Sequence, residues 1–401
     1  MDIRHIYWFS YHGTELQSVR YRATHPLRHL WAWHGVGSTF VVPGRSPRRV
    51  GEFLHAYLEA LVSPRAGSVI VIQRVFSRGP YALLLRLLTF FRGERCIYDI
   101  DHAEYMERPA STIHAFMRGC ALVTAGSQGL LDHARRFNPN GTLLTSPVPD
   151  HDQRKMAVNG KVHRNQVFTV GWVGCSRGTH EADLYRLIFP ALRDLGFRVH
   201  LVVLGARDDA AERRLRAYFA DDPWLTIEVP QDIAWADEAA VHARIARFDV
   251  GVSPLMNTEI NRCKSAFKLK QYMSCGVPVL ASRIGENLRF LHHGENGFLC
   301  RTVEEFRQGI YRMAGNSDTE YNALCRAAFR SIRSFDQELY ARAFLKACRG
   351  LKPFRTDYPC ARRPHGGSDG HHLVAKGWSG VGHPPFTPDP SDPSHRGHGQ
   401  P

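Results

Sequence analysis

The stretch RCKSAFKLKQYMSCGVPVLASRIGENLRFLHHGENGFL, Arg262 to Leu299, contains a helix, a glycine, a proline, a strand and a turn in that order. On a helix Lys264, Lys268 and Gln271 recur at i, i+4 and i+7 and form one stripe, which leaves Phe267, Tyr272 and Met273 to face a sheet. Gly276 suits the position after the helix, and Pro278 opens the next strand. Upstream, Asp249 to Leu255 reads as a buried strand, and MNTEINRC as the loop that brings the helix to the C-terminal edge of that strand. A helix N-terminus already carries partial positive charge, so two ammonium groups in its first turns work against the macrodipole. A phosphate held by the two lysines and the helix N–H groups would reconcile this. The alternative is a solvated lysine face, which is common on surface helices.

Working outward, apolar runs alternate with helix-period segments over most of the chain. In the first half the expected strands are IRHIYWF, STFVVP, SVIVIQ, RCIYDI, ALVTAG and TLLTSP. In the second they are VFTVGWVG, RVHLVVLG, WLTIEV, DVGVSPL, VPVLAS and GFLC. Short continuous apolar strands separated by helices imply parallel sheets covered on both faces. The fold class is α/β, with two tandem doubly wound, Rossmann-like domains whose ligand sits at strand C-terminal ends, in a cleft between them. The expected boundaries are 1–150 for the first domain, 151–166 for a linker, 167–335 for the second domain, and 336–350 for a C-terminal helix that can cross back to the first. Residues 351–401 are rich in Pro, Gly, Ser and His and are expected to be a disordered tail.

The chain has 401 residues and a net charge of +14, spread along its length, which favours anionic partners. Nucleic acid is not among the expected ones, because no motif interleaves basic and aromatic residues. The nine cysteines form no metal or disulfide pattern. The N-terminus lacks an uninterrupted apolar signal segment, and YALLLRLLTFF, Tyr81 to Phe91, is too short to span a bilayer. Residues 81–91 read as a core helix rather than a patch that touches membrane. The expected location is cytoplasmic, with peripheral contact at the inner face of an anionic membrane as a further option.

The run DVGVSPL, FKLKQYMSCGVPVLAS and HGENGFL resembles the C-terminal half of the retaining glycosyltransferases of family 4 (glycosyltransferase group 1), which have the GT-B fold. The resemblance covers about residues 167–350 firmly and the first half weakly. It implies a nucleotide-sugar donor held by the second domain, an acceptor facing the first, retention of anomeric configuration, and a role in polysaccharide or cell-envelope synthesis. Family members carry two glutamates where this chain has Cys263 and Gln271. Gln271 can still hydrogen-bond a ribose, whereas Cys263 cannot replace a carboxylate.

Donor binding is thus assigned to Gly174, Ser176, Arg177, Lys264, Lys268 and Gln271, and the chemistry to Asp101, His102, Lys264 and Lys268. In VGWVGCSRGTHEADL, Gly174 lets backbone approach a ligand while Ser176 and Arg177 meet a diphosphate. In RCIYDIDHAEY, Asp101 or His102 faces the transferred sugar; a metal site at Asp99 and Asp101 is the less favoured reading, so neither metal nor cofactor is expected. Arg20 and Arg22 are candidates for a phosphate or an anionic acceptor, or basic residues of a surface helix. The acceptor is a saccharide or lipid-linked glycoconjugate. Two rival functions stand: a catalytically degenerate binding or scaffold protein, and a nucleotide-sugar epimerase drawing on Asp99, Asp101 and Glu104.

Overall fold

The computed structural model describes residues 2–64, 66–75, 79–108, 110–148, 167–174, 179–205 and 209–351. The expected linker at 151–166, Ser176, Arg177 and the tail from 352 onward lie outside them. Each of the twelve expected stretches contains a strand. They are β1 (His5–Ser10), β2 (Gly37–Val41), β3 (Ser68–Gln73), β4 (Cys96–Ile100), β5 (Leu122–Ala125), β6 (Gly141–Leu143), β7 (Phe168–Val173), β8 (Val199–Leu204), β9 (Leu225–Glu228), β10 (Val250–Ser253), β11 (Val279–Ser282) and β12 (Gly297–Cys300). Among the described residues they make two parallel sheets, β2-β1-β3-β4-β5-β6 and β12-β11-β10-β7-β8-β9. In each sheet the strand order reverses beside its first strand, between β1 and β3 and between β7 and β10. Such switch points open crevices at the strands' C-terminal ends.

The helices that matter below are α1 (His25–His34), α2 (Pro47–Val62), α3 (Pro80–Arg92), α4 (Glu104–Glu107), α5 (Gln128–Arg135), α6 (Thr179–Asp183), α7 (Glu238–Ile245), α8 (Glu259–Arg262), α9 (Phe267–Ser274) and α10 (Gln337–Arg349). Phe53, Leu85 and Phe116 cover one face of the first sheet, while Leu27, Leu30 and Phe344 cover the other. Phe344 comes from α10, which packs on α1 and sets its ring 5.4 Å from Trp8. Full burial of a side chain of this kind contributes about 1.5–3 kcal/mol, enough to hold the C-terminal helix on the first half.

The helix at the centre of the sequence reading begins later than its lysine spacing suggests. Ala266 stands in the left-handed region, φ 51°, and separates α8 from α9. Lys264 therefore precedes the helix and only Lys268 lies in its first turn. Tyr272 does face the sheet: it lies against Gly251, where a Cβ would come within 2.5 Å of the ring, and its hydroxyl accepts from Val173 N and donates to Val252 O. Phe267 does not; it packs on Tyr21 of the first half, ring centroids 4.9 Å apart.

The two halves are joined by polar contacts at the base of the cleft. Lys270 is fully buried, donates to Thr145 Oγ1 and Ser146 O at the exit of the first sheet, and is pushed down to about 7 by burial. Glu286 accepts from Gln128 N at the start of α5, and Ser127 Oγ donates to Cys263 O. Arg20 and Arg22 are not surface cations, contrary to both readings offered for them. Arg20 donates to Glu238 Oε1 at 2.7 Å across the halves, and Arg22 forks onto Asp99 at 3.0 and 2.5 Å. Gln73 and Thr124 complete the donors around Asp99, which is fully buried. Removing one partner of such a pair strands a buried charge. Asp99→Asn is expected to cost about 3–5 kcal/mol in urea unfolding, and a loss under about 1 kcal/mol would show that the Arg22 contact contributes little.

Candidate active site

The second-half crevice is built from three segments. The β7 end supplies Gly174, α6 supplies His180 and Asp183, and the turn from α8 into α9 supplies Lys264 and Lys268. Asp183, buried, accepts from Met256 N and Asn261 Nδ2, which fixes the loop after β10. Thr258 caps α8 by accepting from Asn261 N. The left-handed Ala266 then turns the chain so that Lys264 and Lys268, on different elements, converge on one point. Each Nζ lies 3.4 Å from His180 Nδ1.

Lys268 also rests over the Trp172 ring at 4.5 Å and against Gly174, where a Cβ would come within 2.8 Å of Nζ. A Cβ there would also come within 2.8 Å of the Trp172 ring, so a larger residue would displace Lys268 or the indole. The field of Lys268, burial and the field of Lys264 pull the His180 imidazole down to about 2, so it stays neutral at physiological pH. Burial lowers Lys264 to about 8 against the attraction of Asp183 and Glu107. The site is therefore a cationic cradle of two ammonium groups around a neutral imidazole acceptor.

The first half faces this cradle with α4 and the ends of β3 and β4. His102 Nε2 lies 3.6 Å from Glu107 Oε2, and its field also disfavours a protonated His180. Since Glu107 acts on Lys264, the His102–Glu107 pair and the two lysines belong to one electrostatic neighbourhood. Asp101 sits beside Arg74, Oδ1 to Nε 3.7 Å, and Arg74 reaches Glu104 at 2.6 Å. Arg74 itself holds a left-handed backbone, φ 55°, at the β3 end.

Of the expected site residues, the structure brings together Gly174, Lys264, Lys268 and His102, with Asp101 on the first-half side. Gln271 is different: it is buried, its Nε2 lies 3.2 Å from His242 Nε2 on α7, and it does not share an open face with the lysines. Cys263 is buried against the first half, with Sγ 3.6 Å from the Tyr105 hydroxyl, so its position is a contact between halves and not a sugar-holding group. Asp99 has both oxygens engaged by protein donors, which leaves none for a metal. The residues missed in the sequence are His180, Trp172, Asp183, Arg74 and Glu107. Only the run of early polar residues in THEADL hinted at the first and third.

The sequence model described as glycosyl transferases group 1 matches residues 166–316, the segment that carries the cradle. Residues 166–316 are thus similar to a group 1 glycosyltransferase domain. The chain's two-sheet architecture is similar to HepE of Anabaena in complex with UDP, at TM-score 0.56 and 13% identity over 86% of this chain and 100% of that one. Sucrose-phosphate synthase of Thermosynechococcus elongatus is similar at TM-score 0.59 and 14% identity, over 87% and 99%. So is a UDP-forming trehalose-phosphate synthase of Burkholderia xenovorans, at TM-score 0.56 and 10% identity, over 87% and 99%. At such identities the likeness is one of fold, the GT-B arrangement. No match is found among the curated proteins.

The cradle has a pH signature. Lys264 is cationic below about 8 and loses its proton above it. Affinity for a nucleoside diphosphate is expected to fall as pH rises through that value, by up to about tenfold per unit. Lys264→Arg, charged throughout, is expected to abolish the fall. Calorimetric titration across the range tests this, and an unchanged pH profile in the Arg variant would remove Lys264 from the anion site.

Proposed function

We propose that the chain moves a sugar from a nucleotide-sugar donor to a saccharide or lipid-linked acceptor, with retention and without a metal. The observation that carries this reading is the convergence of Lys264 and Lys268 on His180 at the switch point of the group 1 domain. Breaking the bond from anomeric carbon to phosphate builds negative charge on the leaving diphosphate. Preorganised cations placed there stabilise the transition state more than the ground state. Lys264 and Lys268 hold the diphosphate oxygens. Gly174 admits them, and His180, free of competing positive charge of its own, leaves both ammonium groups available to turn toward the anion.

His102, paired with Glu107, faces the transferred sugar from the first half, and Asp101 sits beside Arg74 on that side. The leaving phosphate accepts the acceptor's proton, so no pair of acid/base carboxylates is needed. That favours transfer over epimerisation, because Asp99 and Glu104 are tied into buried ion pairs with Arg22 and Arg74. The loss of both family glutamates at Cys263 and Gln271 keeps a catalytically silent donor-binding protein as the second reading. A role in saccharide synthesis, and contact with an anionic membrane where a lipid-linked acceptor resides, belong to the same proposal.

A thermal-shift panel of nucleoside diphosphates and nucleotide sugars on wild type and on the Lys264→Ala, Lys268→Ala double variant tests the proposal. Saturating donor at about 100 times Kd adds about 2.7 kcal/mol to the native state. Wild type is expected to rise by several degrees with one donor class and the double variant not to respond. A folded wild type that no nucleotide stabilises would overturn the reading. Donor stabilisation without sugar transfer to any saccharide or lipid acceptor would favour the silent binding protein.

A further inference from the structure

The outer faces of α2 and α3 are apolar as well as their inner ones. On α2, Phe53, Ala56, Tyr57 and Ala60 are buried against the first sheet, while Val50, Leu54, Leu58 and Val62, four residues apart, point to solvent. On α3, Ala82, Leu85 and Leu88 are buried, while Leu83, Leu87, Phe90 and Phe91 are exposed, Phe90 at 81%. The expectation of a core helix at residues 81–91 thus holds for one face only. The two helices pack side by side: Phe53 and Tyr81 rings lie 4.8 Å apart, and buried Arg92 of α3 donates to Ala60 O and Leu61 O of α2. Their outer stripes therefore form one surface with eight large exposed apolar side chains. A soluble monomer rarely exposes so broad a contiguous apolar surface without a partner for it.

The charges around this surface point to the partner. Arg45, Arg48 and Arg49 are exposed at the start of α2, and Arg86 is exposed within the apolar stripe of α3. The carboxylates of these two helices are engaged already, Glu52 with Arg48 and Arg49, and Glu59 with His55. A second copy laid on this face would bury Arg86 with no carboxylate from either helix left for it, which is costly. A bilayer with anionic headgroups meets both demands: apolar side chains enter the interface, and arginine stems extend so that the guanidinium reaches phosphate. Among the described residues no helix is long and apolar enough to cross a membrane, so the contact is in plane.

We infer that the outer face of α2 and α3 is a docking surface for an anionic lipid bilayer. The N-terminal ends of both helices lie at the C-terminal edge of the first sheet, where the Tyr81 hydroxyl donates to Ser10 O at the end of β1. Docking through this face sets the first-half side of the cleft beside the membrane. The surface stands on its own geometry; its use for a lipid-linked acceptor rests on the transferase reading.

The test is co-sedimentation of the full chain with phosphatidylcholine vesicles, with and without phosphatidylglycerol, for wild type, a Phe90→Ser, Phe91→Ser variant and Arg86→Glu. Wild type is expected to sediment with the anionic vesicles and far less with the neutral ones. Each variant is expected to lose about tenfold or more in partitioning. Both variants alter exposed side chains remote from the cradle, so unchanged unfolding midpoints and unchanged donor-induced thermal shifts are expected beside the loss. Absence of vesicle binding at low salt, or variants that bind as well as wild type, would overturn the inference. A dimer in sedimentation velocity that the Phe90 and Phe91 changes dissolve would assign the face to a second copy instead. If donor stabilisation fails while vesicle binding behaves as expected, the transferase reading falls and the docking surface remains.

Discussion

Two ammonium groups brought to one imidazole nitrogen are the constraint on which the rest of the second half depends. Lys264 and Lys268 reach His180 at 3.4 Å each only because an alanine in the left-handed region breaks one helix from the next. Holding non-glycine backbone there costs on the order of 1–3 kcal/mol and persists where surrounding structure over-determines it. The surrounding structure does so here: Asp183 ties the preceding loop, and Tyr272 reaches β7 and β10 from the helix that follows. The strain and the cationic cradle coincide in sequence, at residues 264–268, and the group 1 domain spans them.

The first half contributes a different kind of order. Asp99, Arg22, Gln73 and Thr124 form a buried, fully engaged polar centre beneath the strand ends, and His102 and Glu107 act on the cradle from the same half. Lys270, Glu286 and Cys263 join the halves at the base of the cleft, so that the two crevices meet across it. Cys263, where the resemblance leads one to expect a glutamate, is a buried thiol against Tyr105. Under the proposed transferase reading, donor recognition falls on the lysines and the backbone at Gly174.

Much of this was legible in the residues. Continuous apolar runs marked every strand, since a parallel strand buried on both faces has no polar alternation to hide it. What the residues did not reveal was tertiary in origin. Nothing in the propensity of alanine announces a left-handed Ala266, so the spacing alone places Lys264 on the helix that it precedes. Arg22 looked like a surface cation because its partner, Asp99, lies 77 residues away. His180 was one polar residue among several in a helix start until the fold set two lysines beside it. Gln271 shared a helical stripe with Lys268 by spacing, yet α7 covers it with His242. Residues 81–91 read as core because a helix apolar all round resembles a buried one, and only the fold shows which side is open.

The central claim is that the cradle of Lys264, Lys268 and Gly174 holds the donor's diphosphate. A structure of the protein with a bound nucleoside diphosphate tests it most directly. The account predicts phosphate oxygens within hydrogen-bonding distance of both Nζ atoms and over Gly174, with the ammonium groups turned away from His180. A diphosphate bound elsewhere in the cleft, with both lysines still on His180, would contradict it.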